Sequence, residues 1–228
     1  MNSYVLKLIL YVSNFIAVLV SVPCHEFAHA FAAVKNGDDT PKYTGRYTLN
    51  PFAHFDLLGL VMMIVFRFGW AKPVMVNPSN FRNYKKGAIW VSIAGVLANL
   101  ALAFLFCPVA MIVYNNLIAN GFSSTDWTRY LKVFLWYICE SMFYLNISLF
   151  VFNLLPFYPL DGFRLIDSLS TRRGGAYWFL YRYGRYCLLG IFLLSYIADW
   201  TGLYYINVIG VIRDIVAYPI NAFWGLFI

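Results

Sequence analysis

Residues 25–29 read His-Glu-Phe-Ala-His. On a helix, positions i and i+4 share a face, so His25 and His29 can offer their imidazoles to one metal ion. Glu26, between them, is suited to take a proton from water activated by such an ion. The pattern is a zinc-hydrolase signature when it falls on a helix. Here it lies inside an apolar stretch, residues 4–34. Ionisable groups in such a stretch are costly and mark function. The pentapeptide by itself points to metal-dependent hydrolysis at or inside a membrane.

The elements that must position these residues are membrane elements. Of the 228 residues 61% are apolar, 20% aromatic and only 12% charged, against about 25% charged in soluble domains. A mean hydropathy of +0.66 agrees. The fold class expected is an all-α polytopic membrane protein. It would have about five transmembrane helices of roughly 20 residues each, near residues 4–34, 88–115, 130–155, 176–199 and 203–227. Pro23 and Pro108 should kink their helices, and Arg213-Asp214 should interrupt the last one. Asn14, Ser21, His25 and His29 fall on one face of the first helix by spacing. No long hydrophilic segment leaves room for a separate soluble domain, so residues 1–228 read as one membrane-embedded domain, with a core over 1–170 and additional helices over 176–228.

The net charge of +7 does not call for nucleic acid. The basic residues sit in short loops beside apolar spans, as the positive-inside rule describes, so the expected partner surface is the lipid bilayer. The cysteines Cys24, Cys107, Cys139 and Cys187 form no C-x-x-C pair and read as small buried hydrophobes; only Cys24, adjoining His25, could join a metal. The first apolar run has no small-residue cleavage site before it and reads as a retained helix.

Residues 35–56 form a polar loop broken by Gly37, Asp38, Asp39 and Pro41. The apolar run Leu57–Phe66, about 10 residues, is too short to span as a helix. It fits a short membrane-associated β or re-entrant segment after the first helix, tolerated only against protein or water. The basic loops 67–87 and 156–175 are separated by two full spans, so both should be cytoplasmic. If the short run does not cross, the motif lies toward the cytoplasmic end of its helix, level with Asp161.

A catalytic zinc commonly has three protein ligands and a water. A third histidine six residues past His29 is excluded, because position 35 is Lys. A downstream glutamate would have to be Glu140, in the middle of an expected span. His54, Asp56 and Asp161 remain as candidates on these grounds.

The segment Asn153-Leu154-Leu155-Pro156-Phe157-Tyr158-Pro159-Leu160-Asp161-Gly162 resembles the second signature of the site-2 protease family of intramembrane zinc metalloproteases. That family pairs H-E-x-x-H on one core helix with an N-x-x-P…P-x-D-G segment ending another. Gly45 through Asp56, Gly69 through Val74, Asn77-Pro78 and Ala94 through Asn99 are similar to stretches of its compact prokaryotic branch, which has no PDZ or CBS domain. The resemblance runs over residues 21–165. It implies that His25, His29 and Asp161 hold one zinc ion, that Glu26 is the general base, and that Asn153 hydrogen-bonds the oxyanion or the substrate carbonyl. It also includes His54 and Asn99 as accessory or substrate-side positions. The Pro-containing segment must break the helix and fold Asp161 back, which Pro156 and Pro159 permit.

The departure from the family pattern is Phe163, where a second glycine often follows. The function implied is hydrolysis of peptide bonds in or near the transmembrane segments of membrane protein substrates, in a prokaryotic cytoplasmic membrane with the site toward the cytoplasm. The competing class is a zinc-binding adaptor or metal-handling membrane protein without proteolysis, against which an intact Glu26 argues. Nothing in the sequence sets the oligomeric state.

Overall fold

The first apolar run stays helical to its natural stop. Helix α1, Ser3–Lys35, continues through Pro23 and ends in a glycine-based reversal. Gly37, at φ 107°, donates its N–H to Val34 O, and Asp38 donates to Ala33 O. These two bonds satisfy the last carbonyls as a Schellman motif does, and the left-handed φ is why glycine stands at 37. The computed structural model describes residues 3–56, 58–59, 71–119 and 127–228. Within these, α2 (Thr40–Tyr43) and α3 (Pro51–His54) are single turns in the loop after α1. Long helices α4 (Tyr84–Ala119) and α5 (Trp127–Asn153) follow, then the short α6 (Asp161–Leu169), α7 (Gly175–Thr201) and α8 (Val208–Trp224).

α1, α4 and α5 pack against one another, with α6 against α4 and α8 against α5. An apolar cluster with Ala103, Phe143, Ile147 and Ala217 fills the α4–α5–α8 interface. Among the described residues, three helices are long and apolar enough to cross a membrane: α1, α4 and α5. The two further spans expected near 176–199 and 203–227 are present as α7 and α8 but do not meet that measure. α7 carries Arg182 and Arg185 amid tyrosines. α8 has 17 residues, about 25 Å at 1.5 Å per residue, short of the roughly 30 Å hydrocarbon core.

Three local expectations are corrected. Arg213-Asp214 does not interrupt the last helix: the two side chains pair at 2.8 Å and α8 runs through them. The segment 156–175 is not all loop, because α6 occupies its centre. Asn14 is exposed, and the buried stripe of α1 is Ser13, Ala17, Ser21, His25 and His29 in strict steps of four. The run Leu57–Phe66 lies largely outside the described residues. At its flanks Phe55 and Ala71 form an isolated antiparallel bridge, and Lys72 N–H donates to His54 O at 2.7 Å. No strand occurs among the described residues.

Asp38, fully buried, ties this region down. Its carboxylate accepts from Thr40 N–H, the Thr40 hydroxyl, Asn77 N–H and Asn80 Nδ2. Burial opposes its ionisation, but these donors outweigh it and hold the carboxyl below its ordinary value. A depressed folded-state pKa contributes stability above the unfolded value of about 3.9, and that contribution is lost as pH falls through the folded value. Asp38→Asn should therefore loosen the 77–80 turn at neutral pH by about 2 kcal/mol, the worth of a charged hydrogen bond. Amide exchange at Asn77 and Asn80 should rise by roughly 30-fold at pH 7, the difference from wild type shrinking as the pH falls below the ordinary carboxylate value of about 3.9. Unchanged exchange at pH 7 would show that the clamp contributes nothing.

Candidate metal centre

His25 and His29 sit one above the other on α1, and Asp161 is the first residue of α6. Because α5 ends at Asn153 and the chain turns through 154–160, Asp161 is brought back against α1. Gly162 makes this return possible. A Cβ there would stand 2.4 Å from Leu154 O and 2.5 Å from Leu155 O, too close for any side chain.

The three residues are buried at 8%, 4% and 6% exposure. His25 Nε2 and His29 Nε2 are 3.0 Å apart. Asp161 Oδ2 lies 3.3 Å from the first and 3.0 Å from the second. Among the described residues this is the one group of three or more such side chains gathered closely enough to share an ion.

The hydrogen-bond partners of the two rings fix their tautomers. His25 Nδ1 stands 2.6 Å from Asn99 Oδ1 and His29 Nδ1 2.7 Å from Val91 O, both acceptors. Each Nδ1 therefore carries the proton, and each Nε2 turns a lone pair inward. Asp161 Oδ2, buried with no hydrogen-bond donor, adds a third lone pair. Three converging lone pairs repel unless a cation lies among them. Zinc bonds of about 2.0–2.1 Å in a tetrahedral arrangement separate ligand atoms by about 3.3 Å, close to the spacing observed. The residues present fit a zinc ion.

Behind His25 runs a polar line inside the helix bundle. Asn99 Nδ2 donates to Asn146 Oδ1 at 2.8 Å, and Asn146 Nδ2 donates to Ser21 Oγ and Met142 O. Asn99, Asn146 and Ser21 are fully buried. Each link has one consistent direction, so Asn146 fixes which way Asn99 faces and hence the tautomer of His25. Asn146→Leu leaves Asn99 Nδ2 without an acceptor. Zinc affinity should fall ~10–100-fold, as second-shell losses do, read by chelator competition with helical content unchanged. Wild-type affinity would show that Asn99 holds its orientation alone.

Glu26 is partly buried, and its Oε2 accepts from Val74 N–H at 2.9 Å. The segment after residue 71 is thus pinned at Lys72 to α3, at Val74 to Glu26 and at Asn77 to Asp38. It borders a cavity of ≈ 590 Å³ shared with the start of α4 and with α6, lined in part by Val74, Val91, Ser92 and Arg164. Arg164 lies 3.7 Å from Asp161 Oδ1.

The remaining candidates fall elsewhere. Asn153 closes α5 with its Nδ2 on Leu149 O at 3.0 Å, leaving its Oδ1 for another partner. His54 is fully buried in its own loop, Nε2 on Thr48 O at 2.7 Å, outside the metal group. Asp56 pairs with Lys72 at 3.5 Å. Cys24 faces an apolar groove between α1 and α4 rather than the ligands, and the four cysteines are free. Sequence reasoning missed Asn146, Val91 and Val74. A polar residue inside an apolar span was a signal for the first; backbone groups give none.

The model of a family described as Peptidase family M50 matches residues 13–177. Relatives whose names begin "Putative zinc metalloprotease" include YwhC of Bacillus subtilis, 42% identical over 156 residues, covering 68% of this chain and 67% of YwhC. Rip2 of Mycolicibacterium smegmatis is 32% identical over 166 residues, covering 69% of this chain and 58% of Rip2. Rip2 of Mycobacterium tuberculosis is 31% identical over 155 residues, covering 65% and 54%. No solved structure matches. With the motif, the ligand triangle and a family match across most of its length, the chain belongs to peptidase family M50, the site-2 protease family.

Proposed function

We propose that this chain is an intramembrane zinc metalloprotease that hydrolyses peptide bonds in or near transmembrane segments of membrane protein substrates. The observation that carries the reading is the buried convergence of His25 Nε2, His29 Nε2 and Asp161 Oδ2, with Glu26 beside them, in the C-terminal half of a helix long and apolar enough to span. His25, His29 and Asp161 would hold one zinc ion, which would supply Lewis-acid chemistry to water and to a peptide carbonyl.

Glu26 accepts the proton of the attacking water and passes it to the leaving nitrogen. The Val74 N–H anchors one Glu26 carboxylate oxygen and leaves the other for proton transfer. Asn153 stabilises the developing oxyanion after turning from Leu149 O. The substrate is taken in extended form, because a helix hides its carbonyls in its own hydrogen bonds. The segment 71–77, already bridged to Phe55, offers a backbone edge beside Glu26 along which an unwound substrate lies by β-addition. The site opens toward the cytoplasmic face of a prokaryotic membrane, since the basic loops lie at that end.

The test is cleavage of a reconstituted single-span membrane protein by the purified chain and by Glu26→Gln, with zinc content measured in both. Zinc-dependent cleavage lost in the variant supports the reading. Stoichiometric zinc with no cleavage of any membrane substrate leaves a zinc-binding membrane protein without proteolysis.

A further inference from the structure

Glu140 has no part in the metal chemistry. It lies at the middle of α5, 13 residues from either end of Trp127–Asn153, so about 20 Å of helix separates it from each end. It stands six residues before Asn146 along α5, which turns it about 120° away from the polar line that serves His25. Glu140 lines a recess of ≈ 320 Å³ formed by α4, α5 and α8, together with Tyr114, Trp136, Phe143, Tyr144 and Asn221 among others. Among the described residues no hydrogen bond or ion pair engages the Glu140 side chain. Arg213, which lies over the ring of the lining residue Tyr144 at 5.4 Å, pairs with Asp214 at 2.8 Å. Asn221 uses its Oδ1 on the Cys107 thiol at 3.2 Å and keeps its amide N–H groups.

A carboxyl group at this depth is costly and persists where a partner compensates it. The recess limits what that partner is. Acyl chains offer nothing to a carboxyl, and headgroups do not reach mid-span. One carboxylate with a thiol already donating is no metal site, and no second ligand cluster occurs among the described residues. A carboxyl group in a recess lined largely by aromatic side chains is an environment that suits an organic cation.

We propose that this recess docks a basic side chain, Lys or Arg, carried near mid-span by the transmembrane helix of a partner membrane protein. The three helices of a second copy that are long and apolar enough to span do not supply it. The Lys and Arg residues of its three spanning helices sit near their ends: Lys7 and Lys35, Lys85 and Lys86, Arg129 and Lys132. The opening is lateral, since Tyr114 at 44% and Tyr144 at 36% exposure leave the rim accessible.

The probe is a labelled synthetic Leu-Ala helix of about 23 residues with one Lys at its centre, beside the same helix with Leu there. Both are reconstituted with the full chain in phosphatidylcholine vesicles, and association is read by energy transfer. The Lys helix should associate ~10-fold more strongly than the Leu helix, the scale of a single polar contact between membrane helices. Glu140→Leu should erase the preference, and the isosteric Glu140→Gln should reduce it. Equal association of the two helices overturns the proposal, as does a preference that survives Glu140→Leu. Zinc content is measured in each variant. If Glu140→Leu loses zinc, the Gln variant decides: a reduced preference supports the site and an unchanged one refutes it. The metal site and the recess thus stand or fall separately.

Discussion

Gly95→Ala is expected to abolish stoichiometric zinc binding while leaving the helices intact. A Cβ at position 95 would stand 2.3 Å from His29 Nε2 and 2.6 Å from His25 Cε1. A well-packed core can often absorb one methyl for about 1–3 kcal/mol by small shifts. Here the atoms in the way are the ligating edges of two rings. Each ring is held from behind, His25 by Asn99 and His29 by Val91 O. Yielding by the required half ångström or more breaks a buried hydrogen bond or turns an Nε2 off the ion. Either way the loss in affinity should exceed the ~10–100-fold that second-shell changes produce. Metal analysis after gel filtration, with circular dichroism as the check on folding, measures it. A Gly95→Ala protein that holds zinc at wild-type affinity would mean that the imidazoles do not face α4.

The second large effect is on rate rather than on metal. Glu26→Gln should keep one zinc per chain and lower cleavage of a membrane substrate by ~10²–10⁴-fold, the usual worth of a general base. Gln is isosteric, and its Oε1 can still accept from Val74 N–H, so the 71–77 segment keeps its place. Loss of activity in this variant therefore reports on proton transfer. Glu26→Ala removes the base and the anchor together, and amide exchange at Val74 should separate the two: protected in the Gln variant, faster in the Ala variant. Wild-type cleavage by Glu26→Gln would remove Glu26 from the mechanism.

Much of the scaffold was legible from hydropathy. The expected spans near 4–34, 88–115 and 130–155 became α1, α4 and α5 with ends shifted by a few residues. Lipid-crossing helices must satisfy their backbone internally, so apolar length alone nearly fixes them. One error came where side-chain pairing overrides hydropathy. Arg213 and Asp214 neutralise each other and do not end α8. Asn14 followed the spacing argument yet points outward, because steps of four rather than seven track the buried face of α1. α6 was missed inside a loop punctuated by prolines, although Asp161 in its first turn complements the positive end of the helix.

The sequence by itself determined the chemistry available: two imidazoles one turn apart, a carboxylate beside them and an Asp-Gly after a broken helix. Those are local patterns, carried by spacing within a few residues. Tertiary structure alone decided whether they meet. It set Asp161 Oδ2 within 3.3 Å of both Nε2 atoms, kept position 95 empty so that two rings could fit, and used Val91 O and the Asn99–Asn146 line to choose their tautomers. A metal site depends on sub-ångström convergence of atoms from helices over a hundred residues apart. No spacing rule encodes that, because the distance is set by how the helices pack.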